Sequence, residues 1–299
     1  MSINLLAALG AMLTIATPLV WAGIGEQIVE KTGVLNLGIE GTMYAGAFTG
    51  FLVALRSGSA WWGLLAAILT GVTAGLAMAL LTVTMGLNQH VCGLGLTLLL
   101  IASCEFTFRM LYAGGRPKLD DRFHAWLADV PVLEQHWLTY VGFLVLAPGT
   151  WWVLRSTGLG YRLHAVGESF EAAEVAGISV NATRYAALAV GGAFMAIGGA
   201  FLTLAVLGSF TLNIINGRGW VCIALVIFAK WRVWPVVLGA LIFAVTDALQ
   251  LQLAITTAFS DIPREVMLAL PYAAVITALA VWGRKVHYPG SYLKAYRRA

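Results

Sequence analysis

Charge is scarce in this chain: Asp, Glu, Lys and Arg make up 11% of its 299 residues, while 60% are apolar. A water-soluble domain carries roughly 25% charged residues to cover its surface, so composition excludes a soluble globular fold. Alternation of polar and apolar residues is also missing, which excludes the strands of an outer-membrane barrel. No Gly-x-x-x-x-Gly-Lys-Ser/Thr loop is present, so the chain has no motif for cradling ATP phosphates itself. Cysteine is limited to Cys92, Cys104 and Cys222, without ligand spacing and in apolar segments, which reads as packing rather than a disulfide or metal framework. His90, His124, His136, His164 and His287 are scattered, leaving no cluster for metal binding or acid–base catalysis. The apolar segments lack the repeated acids and bases of a proton relay. The N-terminus lacks the positive region of a cleaved signal peptide and reads as a retained first span.

What remains is a set of long apolar runs. Several reach the roughly 20 residues that cross a hydrocarbon core of about 30 Å as helix. The sequence predicts an all-α polytopic transmembrane bundle in one domain, 1–299, with spans near 3–22, 36–55, 61–85, 92–112, 137–154, 184–207, 217–230, 234–256 and 266–283. That is about nine spans, with eight or ten as alternatives. With nine, Lys31, the loop 155–183 extended to Arg184, the turn with Lys230 and Arg232, and the basic tail 284–299 fall on one side, holding 11 of the 18 Lys and Arg residues. The positive-inside bias makes that side cytoplasmic. The same bias accounts for the net charge of +4 without nucleic acid. Residues 113–136 then form an external loop, folded with its mixed charges paired. Gly46 and Gly50, Gly71 and Gly75, and the group Gly191, Gly192, Gly198 and Gly199 mark close helix approach, within the chain or at a dimer face.

Polar residues concentrate in a few places. In Glu26–Gly41, EQIVEKTGVLNLGIEG, three glycines weaken continuous helix and Asn36 is a good cap for a helix starting there. Either this is a broken helix at membrane depth, as transporters use around substrate, or an interfacial turn with Glu40 snorkelling to water. In Tyr161–Asn181, Glu168, Glu171 and Glu174 recur at helical spacing and the pattern stops at Gly177, predicting one short amphipathic helix that docks into a soluble partner or is a solvated connector. Glu105 and Arg109 have the spacing of an ion pair on one helix. Arg218 stands between two glycines, and Asp247 and Gln250 lie one turn apart; each lines a solute path or bonds a neighbouring helix.

These segments resemble the permease subunits of ABC importers for nucleosides and simple sugars, in the branched-chain-amino-acid/ribose-type superfamily served by basic-membrane-protein-type lipoproteins. GEQIVEKTGVLNLGIEG is similar to the family's opening motif, Asn88-Gln89-His90-Val91 to the start of a later span, and Val166-Gly167-Glu168 through Ala176-Gly177-Ile178 to its cytoplasmic coupling loop. Gly217-Arg218-Gly219-Trp220, Asp247-Ala248-Leu249-Gln250 and Leu270-Pro271-Tyr272 follow in family order. The resemblance implies a non-enzymatic transport subunit in a bacterial inner membrane. It implies as partners a second paralogous permease, an external substrate-binding lipoprotein and a cytoplasmic ATPase that holds the Mg-ATP. It implies that Asn36, Glu40, Asn88, Phe210, Asn213, Arg218, Trp220 and Asp247 face the path, and that Gly167, Glu168, Glu171, Ala172, Glu174, Gly177 and Ile178 couple to the ATPase. The chain departs from the family pattern with Ser169-Phe170 where Asn-Pro is usual. Riboflavin or another heterocycle is the alternative solute; an ATP-independent secondary transporter and a membrane-embedded enzyme are rival readings.

Overall fold

A computed structural model describes residues 5–112, 115, 117–127, 133–254, 264–282, 288–294 and 296. Among them the regular secondary structure is helical apart from one two-stranded ladder. The helices are α1 (Leu5–Glu30), α2 (Ile39–Ser57), α3 (Ala60–Ala79), α4 (Gln89–Tyr112), α5 (Trp137–Tyr140), α6 (Ala147–Ser156), α7 (Gly158–Glu168), α8 (Phe170–Val175), α9 (Val180–Phe201), α10 (Arg218–Phe228), α11 (Val233–Ala254) and α12 (Arg264–Trp282). Wider π turns at Leu80–Thr84, Val141–Leu146 and Leu202–Leu207 extend α3, join α5 to α6 and extend α9.

Six helical stretches among the described residues are long and apolar enough to cross a membrane: Leu9–Glu30, Ala60–Thr84, Gln89–Tyr112, Trp137–Ser156, Val180–Leu207 and Val233–Gln250. Two sequence expectations need correction. The first span does not stop at residue 22 but runs to Glu30, because Glu26, Gln27 and Glu30 all turn into the bundle and are buried. The stretch 217–230 holds only the 11-residue α10. At about 1.5 Å per residue that helix is roughly half a membrane long.

Glycine decides how the bundle closes. α9 packs against α1, α2 and α3, and its glycines divide those neighbours between them. A Cβ on Gly191 would meet the Gly25 carbonyl of α1 at 2.7 Å, while one on Gly192 would collide with the Gly71 carbonyl of α3 and one on Gly199 with the Met43 carbonyl of α2. In return, a Cβ on Gly75 would collide with the Leu188 carbonyl of α9. Of the two readings of the small residues, close packing within one chain is the one these contacts fit. Gly75→Ala should therefore destabilise the purified protein by at least about 3 kcal/mol or prevent folding. Gly95→Ala, on a face with nothing within 4 Å, should leave the thermal midpoint unchanged. Equal midpoints for the two variants would remove glycine packing as the organising contact.

The bundle has two ends. At one, α7 and α8 lie beside the exit of α1, the start of α9, the 229–232 turn and the 288–296 segment. At the opposite end, residues 117–127 and 133–136 fold back over the helix ends. Leu119 N–H donates to Gly208 O, Phe123 N–H to Leu204 O, and the strands Ala125–Trp126 and Gln135–His136 pair antiparallel. The expected pairing of charges in this loop is not what holds it. No ion pair joins its described charges; Asp121 accepts from the Ala60 N–H instead, and Gln135 donates to the Gly10 carbonyl. Arg116 and Asp129 lie outside the described residues.

Candidate functional site

Two breaks in the helical architecture meet inside the bundle. Between α1 and α2 the chain turns at residues 31–33 and runs extended to Asn36, and this irregular segment is buried. Gly33 makes the turn with φ +79°. Its polar groups are satisfied by side chains: Leu35 N–H donates to Gln89 Oε1 at 2.9 Å, Asn36 N–H to Glu26 Oε1 at 3.0 Å, and Gly38 N–H to Asn36 Oδ1 at 3.0 Å. Asn36, expected to cap α2, instead uses its side chain to turn the two residues ahead of the helix, and Gly38 stands at the cap position without a side-chain bond. The second break is the segment 208–217, where Gly208, Asn213, Asn216 and Gly217 all have positive φ. Asn and Gly tolerate that region at little cost. This segment delivers α10 so deep that Cys222 Sγ points at the Leu19 carbonyl in the middle of α1.

Glu40, in the first turn of α2, joins the two breaks. Its Oε1 accepts from Gly217 N–H at 2.8 Å and its Oε2 from Gly219 N–H at 2.7 Å, so the carboxylate closes the open N-terminus of α10. The helix dipole favours an anion there. Gly219 is required because a Cβ would stand 2.7 Å from the Glu40 Cα. Next to it, Arg218 pairs with Asp247 of α11 at 3.6 Å and donates to the carbonyls of Ile214 and Ile215. Tyr272 of α12 donates to the Asn216 carbonyl at 2.6 Å. Carboxylate, guanidinium and carboxylate therefore alternate across α2, α10 and α11 where the chain is least regular.

The other expected path residues are dispersed. Phe210 is 1% exposed and ringed by Tyr44, Phe48, Phe51 and Phe108, with centroids 5.1 to 6.2 Å away, so in this conformation it fills the core. Asn88 sits at the α7 end and accepts from His90 and Val91 N–H groups as the cap of α4. Asn213 is exposed and Trp220 half-buried. Glu105 and Arg109 form the expected pair at 3.6 Å, and Glu105 also accepts from the Tyr44 hydroxyl.

At the α7 end the sequence predicts one helix through Glu168, Glu171 and Glu174; the structure has two. Glu168 ends α7, and Ser169 leaves helical geometry to cap α8, its Oγ accepting from Ala172 N–H at 3.2 Å. Ser169 thus supplies a cap at this departure from the resembled pattern, and Phe170 is a buried anchor. Gly177 ends α8 with φ +75° as predicted: its N–H donates to Glu174 O and that of Ile178 to Ala173 O, the paired bonds of a left-handed helix stop. Ala172, Glu174, Val175 and Ala176 face outward, with Val175 92% exposed. Gly167 faces inward, with no room for a Cβ against the Lys31 carbonyl.

The sequence reading missed what ties this end together. Arg184, at the start of α9, is 0% exposed. Its Nε donates to Thr32 O at 3.1 Å, its Nη1 to Lys294 O at 3.4 Å, and its guanidinium lies 4.3 Å over the Phe170 ring. One side chain thereby holds α9, the α1–α2 break, α8 and the C-terminal segment. The described part of that segment is a strap: Ser291 N–H donates to Gly167 O, Leu293 N–H to Gly33 O, and Tyr296 to Glu174. Tyr288 and Tyr292 pack on Trp231, whose indole N–H donates to Glu30 at 2.7 Å. Lys31 and His164 meet at 2.8 Å; burial, with Arg232 nearby, outweighs the pull of Glu168 and brings the Lys31 ammonium down to about 8, and burial beside Lys31 lowers the His164 imidazole. Arg284, Lys285, Arg297 and Arg298 lie outside the described residues.

Residues 8–279 match the family described as branched-chain amino acid transport system / permease component. The guanosine ABC transporter permease protein NupQ of Bacillus subtilis is 31% identical over 285 residues, covering 90% of this chain and 89% of its own length. The nucleoside ABC transporter permease protein NupC of Lactococcus lactis is 30% identical over 293 residues, covering 93% and 92%. A Haloferax volcanii protein named as a candidate glucose ABC transporter permease, TsgC13, is 36% identical over 252 residues, covering 82% and 77%. No solved structure matches the chain significantly. With its six apolar spans, this chain belongs to the branched-chain amino acid transport system permease component family and is a multi-pass membrane permease subunit of an ABC transport system.

Proposed function

We propose that this permease forms half of the transmembrane pore of an importer that moves a nucleoside, or failing that a simple sugar, into the cell. The α7 end faces the cytoplasm, where Lys31, Arg155, Arg162, Arg184, Lys230 and Arg232 collect. α2, α12 and the segment 208–217 with α10 bring the crossings to nine. A second, paralogous permease completes the pore, an external lipoprotein delivers solute at the opposite end, and a cytoplasmic ATPase docks on α8.

The observation that carries this reading is the outward face of α8. Val175, exposed among Ala172, Ala176 and two acids, gives α8 a small apolar knob rimmed by charge, the pattern that fits the groove of a soluble partner. That knob is mechanically continuous with the interior: Phe170 and Tyr296 contact Arg184 and Glu174, and Arg184 holds the break that leads to Asn36 and Glu40. ATP-driven displacement of α8 would move the α1–α2 break relative to α10 and open the path between the paired permeases. Guanosine and other nucleosides come first as solutes because the two relatives aligned over nine-tenths of this chain carry those names.

The test is reconstitution of the full assembly in proteoliposomes with labelled guanosine, glucose and riboflavin. ATP-dependent uptake of guanosine is expected, and uptake that survives without ATP would overturn the reading. Glu171→Lys, at an exposed site away from the core, should leave folding intact and lower uptake by about tenfold or more, the cost of a like-charge or lost charge contact at an interface. Unchanged uptake in that variant would exclude α8 as the docking element.

A further inference from the structure

Between α6, α7 and α9 lies a cavity of about 910 Å³, set apart from the break at Glu40. Val145, Val153, Val190 and Phe194 make its walls, and no carboxylate is among the described residues that line it. Val145, Leu159 and Val190 are exposed at its rim, so it opens sideways, onto the surface that the apolar helices present to lipid. A polar solute would lose its hydration against these walls without gaining partners. Phe194 is already engaged edge-on with Trp21 at 5.7 Å, so its ring offers no free stacking face on that side.

The mouth at the α7 end has a different character. Arg162 lines it beside Tyr161; both are exposed, and Arg162 has no hydrogen bond or ion pair among the described residues. Arg155, at the end of α6, does not line the cavity; its guanidinium is 5.5 Å from the centre of the Trp151 ring. An apolar slot open to the bilayer, with the Arg162 cation and no anion among the described residues lining it, is complementary to a molecule with a hydrocarbon body and an anionic head. Tyr161 beside Arg162 is of the side-chain type that settles at a headgroup boundary. We propose that this cavity holds one acyl chain of an anionic phospholipid from the leaflet on the α7 side, with the phosphate paired to Arg162.

The position gives the lipid a role. Ala176, Gly177 and Ile178, the stop of α8, form part of the cavity wall. A chain seated there fills the space behind α8 and keeps it from collapsing toward α6, so uptake driven through α8 depends on anionic lipid whichever solute is carried.

The experiment is lipid retention by the complete detergent-solubilised importer, followed by native mass spectrometry during titration with dioleoyl phosphatidylglycerol or dioleoyl phosphatidylcholine. The wild type should retain phosphatidylglycerol over phosphatidylcholine by about fivefold, the factor one basic side chain near a headgroup supplies. Arg162→Gln should remove that preference. Val190→Trp, which fills the slot, should abolish retention; because Val190 is at the rim, a folded variant is expected, and Arg162→Gln tests the proposal independently. Equal retention of both lipids by the wild type, displacement of the lipid by glycerol phosphate alone, or a disulfide from a cysteine at position 190 to a neighbouring permease would each overturn it.

Discussion

Arg184→Met should lower ATP-coupled uptake by more than tenfold while shifting the stability of the permease by no more than about 2 kcal/mol. The two effects separate because the energies at this site nearly cancel. Burying a guanidinium costs several kcal/mol before any partner is counted. Against that stand two hydrogen bonds to carbonyls, worth about 1.5 to 3 kcal/mol each when one partner is charged, and a contact over the Phe170 ring worth about 2 kcal/mol when desolvated. Met restores much of the volume and removes the desolvation cost, but leaves the Thr32 and Lys294 carbonyls without their donors. The fold is then roughly neutral to the change. The connection is not, since no other described side chain joins α8, α9, the α1–α2 break and the C-terminal strap. Arg184→Lys should fail in the same way, because an ammonium cannot reach two carbonyls in the fixed fork of a guanidinium or lie flat on the ring. Uptake above half the wild-type rate in a correctly assembled Arg184→Met importer would take Arg184 out of the transmission.

Much of this was legible in the residues, and the reasons for the rest are physical. The apolar stretches gave helices because a chain of this composition has no other way to satisfy its backbone in lipid. Gly177 was readable as a stop because the left-handed conformation after a helix is a local requirement. Asn36 was readable as lying near the start of α2, but its side chain turns the approach to the helix and Gly38 takes the cap position. The end of α1 was not, because a span is judged by where apolarity ceases, and Glu26, Gln27 and Glu30 are polar residues whose partners come from Asn36 and Trp231. The break at Ser169 was missed although Ser is a cap residue and Glu171 puts an acid in the first turn after it; the run of acids at helical spacing hid it. Arg184 reads in sequence as one more inside-positive charge. Its burial depends on the strap returning from 110 residues away. Tyr288, Tyr292 and Tyr296, spaced four apart in a tail read only for its charge, were the available signal.

Glu40 shows where motif and geometry assign different work to one residue, and replacing it should separate them. The family pattern puts it on the solute path; the structure uses both carboxylate oxygens to close α10. Glu40→Gln keeps the shape but turns one acceptor into a donor facing an N–H group, and removes the anion that the helix dipole favours. Losing one charge-assisted bond and burying an opposed donor pair should cost about 3 to 5 kcal/mol. Arg218 would be left with Asp247 as its one nearby carboxylate among the described residues, so its position should loosen as well. The expected result is a large drop in the unfolding midpoint of the purified protein, with uptake falling in proportion to the assembled fraction. Asp247→Asn, which weakens the partly exposed pair without touching the α10 terminus, should leave the midpoint within about 1 kcal/mol and instead change the concentration dependence of uptake. If Glu40→Gln leaves stability untouched and raises the half-saturating solute concentration, the carboxylate belongs to the path. The closure of α10 would then be a resting contact that solute displaces.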